Sequence, residues 1–261
     1  MTAGPAIAEH AARLARRAAE VAICLDFDGT VAPIVEDPAA ARALPGVVEL
    51  LGPLADRYAA VALISGRPAT FLASHAAAPG ARYLGMYGLE EIVDGRVQVD
   101  PRLEAARPAV EAAARDLAAD PAVTASGAYL EDKRYAVAVH LRRVADPGRW
   151  AGPADEAATR IAARHDLEVV PGKMVWELRP QVRSDKGDAV RRVVAESGAR
   201  ALVVAGDDLG DLPAFAAVAE LGDGLRVVAR SAEVPPALLE AADLVVDGPE
   251  GVRELLEHLL T

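Results

Sequence analysis

Asp26 and Asp28 stand two residues apart at the end of an apolar run, in the order Leu25-Asp26-Phe27-Asp28-Gly29-Thr30. The preceding run, Val21-Ala22-Ile23-Cys24, reads as a buried strand of a parallel sheet. Strand side chains alternate, so the two carboxylates point one way and Phe27 the other. Two acids placed there repel each other and lose water, and the arrangement persists only if a cation or a charged ligand compensates. Gly29 lets the backbone turn sharply and come close to such a ligand. In an open α/β sheet, the carboxyl edge of the strands is also where ligands bind. A calcium loop would continue Asp-x-Asp-x-Asp-Gly and close with a ligating Glu, whereas here Gly29-Thr30 follows at once.

Three later stretches put polar side chains in similar places. Val61-Ala62-Leu63-Ile64 runs into Ser65-Gly66-Arg67. Asp185-Lys186-Gly187 opens a helical pattern with Ala189, Val190, Val193 and Val194. Ala201-Leu202-Val203-Val204-Ala205 runs into Gly206-Asp207-Asp208-Leu209-Gly210-Asp211. In this order the four stretches resemble the motifs of the haloacid dehalogenase (HAD)-type phosphatases.

The resemblance implies phosphoryl transfer assisted by Mg2+, with Asp26, Asp28, Asp207 and Asp208 as the metal-binding set. Asp26 would attack phosphorus and form an aspartyl-phosphate. Asp28 would protonate the departing oxygen and then take a proton from the hydrolytic water, meeting the metal through its main-chain carbonyl. Ser65, with neighbouring groups of Gly66 and Arg67, would hold phosphoryl oxygens, and Lys186 would neutralise charge. Asp208 or Asp211 would arrange the metal's waters.

A narrower resemblance lies between these motifs. Asp28 to Ile34, Ser65-Gly66-Arg67, Tyr87-Gly88-Leu89-Glu90, Gly172 to Pro180 and Asp185-Lys186-Gly187 look like the trehalose-6-phosphate phosphatase family. In that family an inserted cap grips the disaccharide. The resemblance implies Glu131, Lys133, His140, Arg142, Lys173 and Glu177 as sugar-binding residues, with Glu90 beside them. Each pair lies two or four apart on an expected strand, so its members share a face. Carboxylates accept from sugar hydroxyls, while Lys and Arg donate to hydroxyls or phosphate. Three departures stand out: Tyr87 where the family often has His, Asp185 where Asn is frequent, and Gly210-Asp211-Leu212 in place of Thr-Asp-Glu.

To place these residues, the chain must build a sheet. The spacing predicts an amphipathic amino-terminal helix, strand 21–26, a helix near 45–58, strand 60–64, a helix near 68–76 and strand 82–86. Alternating strands and helices imply an α/β, doubly wound, mainly parallel Rossmann-like core sheet. Asp94-Gly95 between short strands signals a hairpin. After Asp100-Pro101 the pattern changes to a helix near 102–118, strands near 122–130 and 134–141, a helix near 152–165 and strands 167–170 and 174–178. Residues 101–181 are therefore expected to form an inserted α+β cap domain. Residues 1–100 and 182–261 form the core, completed by helix 186–197, strands 201–205, 225–229 and 243–246 and helix 249–260.

The composition sets outer limits. Of 261 residues, 52% are hydrophobic, enough for a sizeable core. A net charge of −11 argues against nucleic acid as a partner, and it requires that an anionic substrate meet a local positive site. No apolar stretch reaches the ~18 residues of a membrane span. The amino terminus lacks the apolar segment of a secretory signal. With a single cysteine, Cys24, no intrachain disulfide can form, which fits a reducing cytoplasm. The expectation is a cytoplasmic, monomeric phosphatase acting on a small-molecule sugar phosphate, without nucleic acid or membrane partners. The alternatives are a phosphatase for sucrose phosphate or a glucosyl- or mannosyl-glycerate phosphate, a phosphomannomutase-like isomerase, and a non-catalytic binding module.

Overall fold

A computed structural model describes residues 4–35, 38–172, 174–231 and 234–261. In chain order, helix α1 (Gly4–Ala15) leads to strand β1 (Val21–Leu25), α2 (Pro45–Arg57), β2 (Ala60–Ile64), α3 (Ala69–His75) and β3 (Arg82–Gly85). The hairpin β4 (Glu90–Val93) and β5 (Arg96–Val99) follows, turning through Asp94 and Gly95 at φ 50° and 72°. Next come α4 (Pro101–Ala119), α5 (Pro121–Ser126), β6 (Tyr129–Asp132), β7 (Val137–His140), α6 (Pro147–Arg164), β8 (Leu167–Gly172) and β9 (Val175–Pro180). The chain ends with α7 (Lys186–Ser197), β10 (Ala201–Gly206), α8 (Leu212–Leu221), β11 (Gly224–Ala229), α9 (Pro236–Ala241), β12 (Leu244–Val246) and α10 (Gly248–Leu260).

These elements divide into two compact units, residues 1–98 with 184–261 and residues 99–183. The first contains an eight-stranded sheet in the order β12-β11-β10-β1-β2-β3-β4-β5. From β12 to β3 every pairing is parallel, and β4 turns antiparallel on β3. The strand period explains both faces. Val21, Ile23 and Leu25 enter one core with residues of α1, α2 and α10, while Ala22 and Cys24 enter another with α7 and α8. A sheet covered on both faces needs apolar residues at every strand position, and β1 and β10 are buried throughout. Burial pushes the Cys24 thiol up to about 12, so it packs as a neutral apolar group. Among the described residues no helix is long and apolar enough to cross a membrane.

The second unit is a four-stranded antiparallel sheet, β6-β7-β9-β8, whose apolar side packs on α4, α5 and α6. One expectation fails here. The strand expected near 122–130 is instead helix α5 followed by the short β6. Asp120 caps that helix by accepting from the amides of Ala122 and Val123, Pro121 opens it, and Gly127 closes it at φ 72°. These end signals outweigh the strand preference of Val123 and Thr124. Helix α6 also begins five residues before the expected start at 152, because Asp146 caps it and Pro147 opens it.

Candidate active site

The core of the site is an ion cluster at the carboxyl ends of β1 and β10, which pair side by side. Asp26 continues the face of Ala22 and Cys24, so its carboxylate points to the side of the sheet that carries α7. There Lys186, the first residue of α7, places its ammonium 2.8 Å from Asp26 Oδ1 and 2.7 Å from Asp211 Oδ1. Helix α7 starts there because Asp185 and Asp188 form a reciprocal cap, each side chain accepting from the other's amide.

Asp211 organises the acidic loop. Its Oδ2 accepts from the amides of Asp207 and Asp208 at 3.0 and 3.1 Å while Oδ1 accepts from Lys186. This carboxylate is 1% exposed. Asp26, Asp207 and Asp211 each bring a carboxylate oxygen within 4.8 Å of the others. Gly29 makes this approach feasible: it sits at φ 73°, and a Cβ there would fall 1.9 Å from Asp207 Oδ2. Asp208 faces out, with its side chain 66% exposed, Oδ1 accepting from the Gly210 amide and lying 4.0 Å from Lys186.

The electrostatics are unbalanced. Burial lifts Asp26 well above the usual carboxylate range, Lys186 working against it and Asp211 and Asp207 adding to it. Burial, helped by repulsion from Asp211 and Asp208, pushes Asp207 up to about 7. Burial also raises Asp211, opposed by Lys186. Burial disfavours the charge on Lys186, yet Asp26 and Asp211 more than offset this and hold its pKa above the ordinary lysine value. One ammonium thus serves a group of acids that resist sharing a buried space, and hard oxygen donors in this state suit a small divalent cation such as Mg2+.

Asp28 is held differently. Arg67 clasps it with Nε on Oδ2 at 2.6 Å and a second guanidinium nitrogen on Oδ1 at 2.7 Å. The guanidinium also lies 4.3 Å from the Phe71 ring centroid. The resulting hydrogen bonds and charges of Asp28, and of Asp26 farther off, raise the Arg67 pKa. Ser65, buried at the end of β2, accepts from the Arg67 amide at 3.3 Å. Asp26, Asp28, Ser65, Gly66, Arg67, Lys186, Asp207 and Asp208 all border one cavity of about 500 Å³. Ile34, Val35, Tyr87 and Pro235 form its apolar wall. The bidentate hold on Asp28, the anchoring role of Asp211 and the place of Tyr87 in the cavity wall do not follow from the sequence motifs.

Glu90 is not among the residues lining this cavity. It is buried, and its carboxylate accepts from the Ala69 amide at 3.0 Å, fixing the start of α3. Within the second unit, Glu131, Lys133, His140 and Glu177 meet on one face. Glu131, Ala138 and Glu177 share a row across β6, β7 and β9. Lys133 lies 2.6 Å from Glu177 and 3.7 Å from Glu131, and His140 Nε2 lies 2.9 Å from Glu131. The expected strand pairs shorten here: β6 ends before Lys133 and β7 ends at His140, so Arg142 falls in the turn beyond. Tyr129, Glu131, His140, Arg142 and Arg143 border a cavity of about 460 Å³. Lys173 lies outside the described residues.

Known proteins resemble this chain over most of its length. The trehalose-phosphatase family model matches residues 24–247. A trehalose-phosphate phosphatase of Mycobacterium leprae (strain TN) is 36% identical over 255 residues, covering 93% of this chain and 58% of that protein. One from Mycobacterium avium (strain 104) is 40% identical over 206 residues, covering 76% of this chain and 51% of that protein. The chain thus spans between half and three-fifths of the length of these curated relatives. A trehalose-6-phosphate phosphatase structure from Aspergillus fumigatus (crystal form 3) superimposes with a TM-score of 0.64 at 23% identity, covering 97% of each chain. A haloacid dehalogenase-like hydrolase from Bacteroides thetaiotaomicron gives 0.59 at 18% identity, covering 90% of this chain and 98% of that one. These last two likenesses concern the fold, which is that of the HAD-like hydrolases. By the span of the family match, the chain belongs to the trehalose-phosphatase family.

Proposed function

We propose that this chain hydrolyses trehalose 6-phosphate to trehalose and phosphate, with Asp26 as the nucleophile. The observation that carries the chemistry is the buried Asp26–Lys186 pair, 2.8 Å apart, with Asp207 beside it. The sugar is taken from the activity named for the relatives. Asp26, Asp207 and the main-chain carbonyl of Asp28 would hold Mg2+. When bound, that ion offsets phosphoryl charge as the nucleophile approaches.

The chain's own residues supply the remaining steps. Lys186 fixes the Asp26 carboxylate and offers positive charge to the phosphoryl oxygens. A new bond forms between an Asp26 carboxylate oxygen and phosphorus as the bond from phosphorus to the sugar oxygen breaks. The sugar oxygen leaves with a proton from Asp28. Because Arg67 holds both Asp28 oxygens, the arriving substrate must displace at least one contact before this donor faces the leaving group. Water then attacks phosphorus and gives its proton to Asp28, the bond to Asp26 breaks, and phosphate departs. Ser65 and the Gly66 amide are assigned to the phosphoryl oxygens. Asp211 holds Lys186 and the 207–208 backbone in place, and Asp208 would help to arrange the ion's waters.

Residues 99–183 are assigned as the cap, with the Glu131–Lys133–His140–Glu177 group and Arg142 receiving sugar hydroxyls. The decisive test is phosphate release from trehalose 6-phosphate, sucrose 6-phosphate and glucose 6-phosphate, with and without Mg2+. Preference for trehalose 6-phosphate, dependent on the metal, is expected. Equal rates on all three would remove the sugar assignment, and hexose phosphate interconversion without phosphate release would make the chain an isomerase.

A further inference from the structure

Tyr87 has no place in the chemistry above, yet the fold holds it firmly at the site. Met86 and Tyr87 both adopt left-handed backbone, at φ 50° and 57°, just before Gly88 at φ 89°. Two successive residues with side chains in this region carry a conformational cost that the surroundings must enforce. The enforcement is visible. The Met86 amide donates to the Arg67 carbonyl and the Tyr87 amide to the Ser65 carbonyl, each at 2.9 Å. The Tyr87 carbonyl accepts from the Ser184 hydroxyl at 2.7 Å. The strained turn is thus tied to the Ser65–Arg67 loop on one side and to the residues leading into α7 on the other.

The side chain shows what this arrangement positions. The phenol end of Tyr87 rests on Gly66, so closely that a Cβ on Gly66 would fall 2.7 Å from both Cζ and the hydroxyl oxygen. Gly66 therefore makes room for this ring. Tyr87 is nonetheless 43% exposed, and it borders the cavity that contains Asp26, Asp28 and Lys186. A large, half-open aromatic ring thus lies with its hydroxyl end against Gly66, beside Ser65, Asp28 and Lys186 on the same cavity. Pockets combine such apolar walls with a few convergent polar groups, and an aromatic ring offers a sugar's C–H face a flat apolar surface at small entropic cost.

We propose that Tyr87 is a specificity-determining residue, its ring forming the wall against which the sugar next to the scissile bond packs. The proposal rests on the sugar-phosphatase reading above and adds to it a residue on the core unit. It is tested by the ratio of kcat/KM on trehalose 6-phosphate to kcat/KM on acetyl phosphate, which has no sugar face. Tyr87→Ala is expected to lower this ratio by about tenfold, chiefly through KM for the sugar phosphate. Tyr87→Phe keeps the ring and is expected to stay within about threefold of wild type. Gly66→Ala puts a methyl where the phenol rests, and it should lower the ratio as well, with no further loss when combined with Tyr87→Ala.

Loss of folded protein lowers both rates equally and cancels in the ratio. A ratio unchanged in Tyr87→Ala would overturn the proposal, as would a loss in Tyr87→Phe as deep as in Tyr87→Ala. A wild-type enzyme that cleaves acetyl phosphate but no sugar phosphate would instead refute the underlying reading, and the proposal with it.

Discussion

Replacing Lys186 by Met removes one charge from the centre of the site while nearly keeping the side chain's length. The lysine side chain is 7% exposed and contacts Asp26 at 2.8 Å and Asp211 at 2.7 Å. Without it, two buried carboxylates and the neighbouring Asp207 face one another uncompensated. Deleting one partner of a buried ion pair costs about 3–5 kcal/mol. In a chain of this size each kcal/mol moves the midpoint by about 2–4 °C, so the melting temperature should fall by about 6–20 °C. Urea and thermal unfolding followed by far-ultraviolet circular dichroism, in EDTA so that no bound ion contributes, would measure the loss. Trp150 and Trp176 both belong to residues 99–183, so fluorescence follows that unit and its midpoint should move less.

The pH dependence has a definite sign. Burial already raises Asp26 and Asp211, with Lys186 opposing, and removing Lys186 raises them further. A carboxyl with a folded pKa above its unfolded value binds more protons when folded, so falling pH stabilises the fold through that group. Lys186 has a raised folded pKa, so its contribution to the wild type is complete at any pH below the unfolded lysine value of about 10.4. The gap between wild type and Lys186→Met should therefore narrow from pH 8 to about 6, a window spanning the value of about 7 already reached by Asp207. A loss below about 1 kcal/mol, or a gap that widens on acidification, would refute the buried-cluster electrostatics.

Three shorter predictions follow from other parts of the molecule. Glu131→Ala should raise KM for trehalose 6-phosphate more than for p-nitrophenyl phosphate; equal effects would mean that Glu131 does not contact sugar. Glu90→Ala should cost about 1–2 kcal/mol in urea unfolding, because the buried Ala69 amide loses its acceptor. A much smaller cost would show that α3 does not depend on this cap. Chelation should abolish phosphate release and added Mg2+ should restore it, as followed by a phosphate assay; full activity in EDTA would exclude the proposed ion.

The sequence revealed the parts of this molecule governed by short-range rules. The uniform apolar runs of β1 and β10 announce strands covered on both faces, and period-two alternation correctly sends Asp26 and Phe27 to opposite sides. The Asp94-Gly95 hairpin was legible because its turn needs residues that tolerate positive φ. Helix α5 reads as a strand from Val123 and Thr124, although its end signals, Asp120, Pro121 and Gly127, make it a helix. Helix α8 is missing from the expected elements because Phe215, Val218 and many alanines give it apolar residues on most sides and little periodic contrast. At the site, residue types and order were readable, but the partners were not. That Asp211 rather than Asp208 turns inward, that Arg67 clasps Asp28, and that Glu90 caps α3 all depend on side-chain directions fixed by tertiary packing.

The most direct measurement is to trap the enzyme in mid-reaction. Trehalose 6-phosphate labelled in the phosphoryl group would be mixed with enzyme and Mg2+, quenched in acid within milliseconds, and the protein digested and mapped. One hydroxylamine-labile phosphoryl group is expected on the peptide containing Asp26, absent in Asp26→Asn. Phosphate released at the full rate with no label on Asp26, or released by Asp26→Asn at the wild-type rate, would contradict it.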